Sequence, residues 1–366
     1  MVPDGGQSGP LMVEVVVSHS PGFDDLVLNE ITRTHAQAAH TGSPAPGVML
    51  VSVPGSFNAF ARPWQDALPI YLHHIFPAQV CLRLAGTPDD LRLLQDAFRA
   101  DLAPLIRPGL PLGIQPRLVA DAHGRAVPDA PPAPQDLPYT ADGVRRALAR
   151  AANQRITQPG EQILCVVIAE AQEGLTAHMG VSLAAQNISA WAGGAVPYRQ
   201  AVPSRAAYKL YEAVDAFGPY GLALEPGRQA LDLGAAPGGW TRVLREHGLT
   251  VTAVDAAEMD PAVAADPGVA HIQLPAEVYV ERVRGPYDVI TNDIIIDAQD
   301  SARLMVDYAD ALRQGATGVM TLKLRAHNRR RVMDHSFRLL RKAYHIVRVR
   351  QLYYNRSEVT LLLRRS

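Results

Sequence analysis

One segment constrains this chain more than any other. Leu231-Asp232-Leu233-Gly234-Ala235-Ala236-Pro237-Gly238-Gly239-Trp240 is an apolar run that breaks into a glycine-rich turn and resumes as a helix. A strand feeding such a turn opens an α/β sheet, and these sheets take their ligands beyond the carboxyl ends of the strands. The sequence that follows keeps alternating. Strands are expected at 229–233, 249–254, 270–273, 287–293, 318–324, 345–352 and 359–363, with helices at 204–216, 240–247, 301–313 and 328–342. This pattern predicts an α/β, Rossmann-like doubly wound sheet, mostly parallel.

The turn also narrows its ligand. Asp255 closes the next strand, where an acid accepts hydrogen bonds from ribose hydroxyls. A dinucleotide fingerprint fits poorly, because G-x-G-x-x-G requires glycine where Ala236 stands, and Pro237 removes an amide otherwise open to a pyrophosphate. S-adenosylmethionine (SAM), an adenosine ligand without phosphate, needs no such cradle. Trp240 reads equally as a wall for that ligand or as core.

The first half reads as mixed α/β. Strands are expected at 11–17, 48–53, 79–84, 163–169 and 176–183, the last two turning near Gly174. Helices are expected at 21–34, capped by Ser20, and at 87–101 and 140–155; five prolines make 127–138 a loop. The stretch 189–203, with Trp191, Gly193, Gly194, Pro197 and Pro203, carries little periodicity and is expected to join two domains: 1–190, a linker over 191–203, and 204–366.

At 48% hydrophobic and 19% charged, the 366 residues can bury large cores and are too apolar for disorder. No apolar run approaches the ~18 residues a membrane span needs, and the start lacks a signal-peptide pattern. Cys81 and Cys165 lie far apart without metal-ligand spacing, so neither a disulfide framework nor a metal site is expected, and the cytoplasm is the expected location. The net charge of −1 is unevenly spread. From Arg325 to Ser366, 12 Lys and Arg face only Asp334 and Glu358, a local net of +10 that leaves −11 for residues 1–324. That end is a candidate polyanion surface, or simply a solvated arginine-rich face. Of 35 basic residues, only Lys209, Lys323 and Lys342 are lysine. Arginine serves solubility and phosphate binding but cannot give up its proton, so the remaining lysines attract attention.

Ser204-Arg205-Ala206-Ala207-Tyr208-Lys209-Leu210, followed by Leu231 to Trp240, resembles the FtsJ-like family of SAM-dependent RNA ribose 2′-O-methyltransferases. The resemblance implies a mostly parallel sheet with its last strand antiparallel, and a catalytic Lys-Asp-Lys-Glu set. Lys209, Asp293, Lys323 and Glu358 occupy those positions, so two of the three lysines fall where the family needs lysine. Ser204, Asp232, Gly234, Ala235, Pro237, Gly238, Gly239, Trp240, Asp255, Gln273 and Asp293 become the cofactor-binding candidates. Where many SAM enzymes carry an acid after the third strand, His271-Ile272-Gln273-Leu274-Pro275 has none, and Gln273 or a backbone carbonyl is left to meet the adenine amino group. Chain length, Pro21-Gly22-Phe23-Asp24-Asp25-Leu26 and the Ala192-to-Arg205 stretch resemble the RlmM-like branch, which implies a THUMP-like RNA-binding region over 1–190 and a cytidine of bacterial large-subunit (23S) ribosomal RNA as substrate. No membrane and no obligate protein partner is expected.

Methylating a 2′-hydroxyl requires alignment of oxygen, carbon and sulfur and removal of the hydroxyl proton. A lysine acting as base near neutral pH must have its charged form disfavoured by about 4 kcal/mol. The expectation is that Lys323 is the base, that Lys209 beside it disfavours charging of both, that Asp293 orients the amine, and that Glu358 supports them. Tyr353 and Tyr354 are candidates for stacking on bases, although adjacent tyrosines on a strand more often send one ring into the core. A small-molecule SAM methyltransferase, or an RNA-binding assembly factor without catalysis, is also compatible with a nucleotide-like turn. The first would not need the basic carboxyl end, and the second would not need the four-residue set.

Overall fold

The computed structural model describes residues 11–120, 137–153, 155–171, 174–197, 206–325 and 328–366. Ser204, most of the proline-rich loop and the end of the connecting stretch lie outside them. The chain forms two compact units, residues 1–195 and 196–366.

The first unit holds two four-stranded sheets. Its elements in order are β1 (Met12–Ser18), α1 (Asp24–Thr34), β2 (Ala39–Ala45), β3 (Val48–Pro54), α2 (Phe57–Asp66), β4 (His74–Pro77), β5 (Val80–Leu84), α3 (Asp90–Ala97), β6 (Leu112–Ala120), α4 (Ala141–Ala152), β7 (Gln162–Ala171) and β8 (Gly174–Leu183). One sheet runs β2-β3-β1-β4 and the other β5-β8-β7-β6. Four of these elements escaped the sequence reading, for local reasons. β2 is a polar edge strand of Ala, His, Thr, Gly, Ser and Pro, β6 carries Pro116, α2 carries Pro63, and β4 is only four residues long. Proline is tolerated in β6 because that strand lies at a sheet edge, where an amide is not needed on both sides. The helix expected from residue 21 starts at Asp24 and is capped by Phe23 without a side-chain bond, so Ser20 is not the cap; its carbonyl accepts the Phe23 amide instead.

The second unit comprises α5 (Ala206–Phe217), β9 (Gln229–Leu233), α6 (Gly239–Glu246), β10 (Thr250–Val254), α7 (Pro261–Ala264), β11 (Val269–Ile272), α8 (Ala276–Tyr279), β12 (Tyr287–Asn292), α9 (Ala298–Asp307), β13 (Leu312–Lys323), α10 (Arg329–Leu340), β14 (Tyr344–Arg350) and β15 (Glu358–Arg365). They build a seven-stranded sheet of order β11-β10-β9-β12-β13-β15-β14. Strands β9 to β13 pair in parallel, and β15 inserts antiparallel between β13 and β14. This is the Rossmann-like sheet the alternation predicts, with its last strand reversed. The helix expected over 301–313 stops at Asp307, and Leu312 already pairs with Tyr287, so β13 is longer than its apolar stretch.

The order matters for function because the chain leaves β9 for β10 on one side and returns to β12 on the other. Such a reversal opens a crevice at the carboxyl ends of the two strands. One face of the sheet is sealed by apolar packing: Phe217, Trp240, Val243 and Leu244 from α5 and α6 pack on Ala230, Val251, Val289 and Val319. Asp288, at the other end of β12, accepts from the Gln229 amide and from Arg313, far from that crevice, as its position at the strand start required.

Candidate active site

The crevice is floored by the glycine-rich turn after β9. Gly234 has a φ of +75°, and a Cβ there would meet Ile294 Cγ1 at 2.6 Å, so glycine lets the turn approach the loop after β12. Gly238, at φ +116°, caps α6 against Val263. The amides of Gly234 and Ala235 donate to the Val254 carbonyl, the Ala236 amide donates to Asp255 Oδ2 at 3.0 Å, and Pro237 has none. The turn therefore spends the amides of Gly234, Ala235 and Ala236 on acceptors within the protein, and Pro237 offers none.

Asp255 is partly exposed at the end of β10. Each of its oxygens accepts one amide, from Ala236 and from Ala257 at 2.9 Å, and retains a second lone pair. A carboxylate oriented in this way suits a pair of ribose hydroxyls. Ala235 and Gly239 are buried in the turn, Pro237 is exposed on it, and Gln273 is exposed after β11. Asp232 and Trp240, candidates for touching the cofactor, have other work. Asp232 is 1% exposed and accepts from Thr241 and Thr291 hydroxyls, and burial pushes its carboxyl up to about 7 despite those bonds. Trp240 is 3% exposed in the core, with its indole nitrogen donating to the Ala206 carbonyl. Both shape the turn from behind.

Beside the turn, four charged side chains from four elements converge. Asp293 follows β12, and its amide donates to the Leu233 carbonyl, which fixes it to the glycine turn. Lys323 ends β13 and faces Glu358 directly in the antiparallel ladder with β15. Lys209 comes from α5. Lys323 Nζ donates to Asp293 Oδ1 at 2.6 Å, and Lys209 Nζ lies 3.2 Å from Asp293 Oδ2 and 2.5 Å from Glu358 Oε1. Lys323 and Glu358 are 3.9 Å apart. All four side chains are largely buried, at 6–15% exposure.

Thr321 completes the network and was missed in the sequence. Its hydroxyl donates to Asp293 Oδ1 at 2.7 Å and accepts from Lys323 Nζ at 2.8 Å. The signal was its position two residues before Lys323, on the same face of the strand.

The electrostatics correct one expectation. Burial disfavours the charged form of Lys209, but Asp293 and Glu358 outweigh it and hold its pKa above the ordinary value. Lys209 is thus a permanent cation, not a second depressed amine. Burial likewise works against ionisation of Asp293, and Lys323 with Lys209 overcomes it, so the carboxyl sits below the usual range. Tyr354 packs its ring 5.0 Å from that of Tyr208, and Tyr353 meets Tyr354 edge-on at 5.4 Å.

The second unit thus combines a Rossmann-like sheet, a glycine-rich turn, an acid at the end of β10 and a Lys-Asp-Lys-Glu network. Residues 202–337 match the model of the FtsJ-like methyltransferases. Among relatives, the chain is 38% identical over 165 residues to the ribosomal RNA large subunit methyltransferase M of Halorhodospira halophila (44% of this chain, 47% of the relative). It is 36% identical over 201 residues to that of Marinobacter nauticus (52% and 55%) and 32% over 228 residues to that of Thauera aminoaromatica (60% and 61%). The chain thus matches about half the length of these curated relatives.

Proposed function

We propose that this protein methylates a ribose 2′-hydroxyl of RNA, and that its substrate is a cytidine of bacterial large-subunit ribosomal RNA. The observation that carries the reading is the Lys209–Asp293–Lys323–Glu358 network, closed at the carboxyl edge of the sheet beside a turn that suits an adenosine without phosphate. SAM, when bound, supplies an electrophilic methyl group. Gly234, Gly238 and Asp255 would hold it. Lys323 Nζ takes the proton of the attacking hydroxyl, Asp293 and Thr321 fix that amine in direction, and Lys209 stays charged between Asp293 and Glu358 so that the carboxylates neither drift nor protonate. Only RNA offers a 2′-hydroxyl.

Arg330, Arg331 and Arg338 are exposed on α10, which follows β13 and Lys323, and Arg325 is exposed between them. This face suits phosphates. The first unit, mixed α/β and resembling a THUMP region, is assigned to positioning RNA, and the protein to the cytoplasm. Among the described residues, no helix is long and apolar enough to cross a membrane. Transfer of labelled methyl from SAM to ribosomal RNA, with no transfer to small acceptors, tests the reading; transfer to small hydroxyl compounds alone would replace it with a small-molecule methyltransferase.

Asp255→Ala should weaken SAM binding by about 1 to 3 kcal/mol, because the ribose hydroxyls lose their acceptors. Titration calorimetry beside a thermal melt checks this, and an unchanged affinity would remove Asp255 from the cofactor site.

A further inference from the structure

A second carboxylate clasp joins α5 to the chain before β15. Glu212 lies one helical turn beyond Lys209, on the same side of α5. It is partly buried, and its Oε1 accepts the Tyr353 amide at 2.8 Å while Oε2 accepts the Tyr354 amide at 3.0 Å. Those amides belong to the turn between β14 and β15. Asn355 closes the turn from within, its Oδ1 accepting from the Leu352 amide and the Thr360 hydroxyl. Four residues after Tyr354 the chain reaches Glu358, which faces Lys323 across the ladder and grips Lys209.

Helix α5 and the start of β15 are thus tied twice, by Glu212 reaching from the helix to the turn and by Glu358 reaching from the strand to the helix. Only a carboxylate can accept two amides with two oxygens; glutamine would turn an NH2 toward one of them. The site is an expensive place for a charge. Burial pushes the Glu212 carboxyl up to about 7 even though the two amides and Arg350 favour its ionised form. A clasp needed only to close the turn duplicates what Asn355 already does.

We propose that Glu212 is a positioning residue: by holding Tyr353 and Tyr354 against α5 it sets the reach between Lys209 and Glu358, and through that pair the placement of the Lys323 amine. The rate measurement below rests on the RNA-methylation reading; the labelling measurement does not.

The chain has only three lysines, so amine labelling resolved by mass spectrometry reports on Lys209 and Lys323 with exposed Lys342 as internal reference. In the full-length Glu212→Gln variant, labelling of Lys209 and Lys323 should rise several-fold relative to Lys342 while the melting temperature stays within a few degrees of wild type. Single-turnover methylation at saturating RNA and SAM should fall by about 10- to 100-fold, with the KM for RNA and the affinity for SAM unchanged. Glu212→Asp, which keeps the charge one methylene short, should fall between the two. Unchanged lysine labelling would overturn the proposal, as would a rate loss matched by loss of RNA or SAM affinity or by a collapse of stability. If the wild-type protein transfers no methyl to RNA, the functional reading falls, and the labelling pattern still decides whether Glu212 positions the lysines.

Discussion

Lys323→Arg should reduce methyl transfer by about 10²- to 10⁴-fold, the usual worth of a positioned general base, while SAM affinity stays nearly intact. The chain uses arginine almost everywhere and keeps lysine at the end of β13. Its Nζ is bonded to Asp293 and Thr321 at the mouth of the crevice. A guanidinium preserves the positive charge and grips a phosphate at least as well, but it cannot accept the hydroxyl proton. Charge and proton transfer are therefore separated by one substitution. Lys342→Arg is the matched control, since Lys342 is exposed at the far end of α10, and it should be nearly silent. Single-turnover rates from pH 6 to 9 read the result. A Lys323→Arg protein that keeps more than about a tenth of the wild-type rate would leave Lys323 as an electrostatic clamp.

Lys209→Met should be the most destabilising change in the site, by about 3 kcal/mol, because it leaves Glu358 and Asp293 withdrawn from water with one fewer cation. For a unit of this size that lowers the melting temperature by roughly 6 to 12 °C. Glu358→Gln in the same background should cost much less than it does alone, giving a coupling of about 1 to 3 kcal/mol in a double-mutant cycle. The pH dependence follows from the signs. Lys209 has a raised pKa, so its contribution is complete below the unfolded-lysine value of about 10.4 and is lost as pH climbs through the folded one. Asp293 is depressed, so its contribution is complete above about 3.9 and is lost as pH falls through its folded value. Between pH 6 and 9 the contributions of Lys209 and Asp293 should be constant, so a rate change in that window does not come from these two groups. Additive costs of Lys209→Met and Glu358→Gln would show that the pair does not bind.

How much of this was legible beforehand depended on whether the signal was local. The parallel sheet was readable because buried strands are continuous apolar runs and the turns between them carry glycine. The four charged residues were readable through the family resemblance and through lysine scarcity. Their electrostatics were not, since the two carboxylates around Lys209 come from β15 and the loop after β12, and sequence gives no distances between them. The burial of Asp232 and Trp240 was unreadable for a related reason. A motif records which residues a turn needs, without saying whether they face the ligand or support the turn from behind. In the first unit, β2, β6 and α2 were hidden by proline and polar residues that only an edge position or tertiary packing makes acceptable.

The most direct test supplies labelled SAM and large-subunit ribosomal RNA to the wild-type protein, digests the RNA to nucleosides and identifies the labelled one. The label is expected in a 2′-O-methylated nucleoside, 2′-O-methylcytidine, and no label is expected when the target nucleotide carries a 2′-deoxyribose. Label on a base, or transfer that survives the loss of the 2′-hydroxyl, would contradict that expectation.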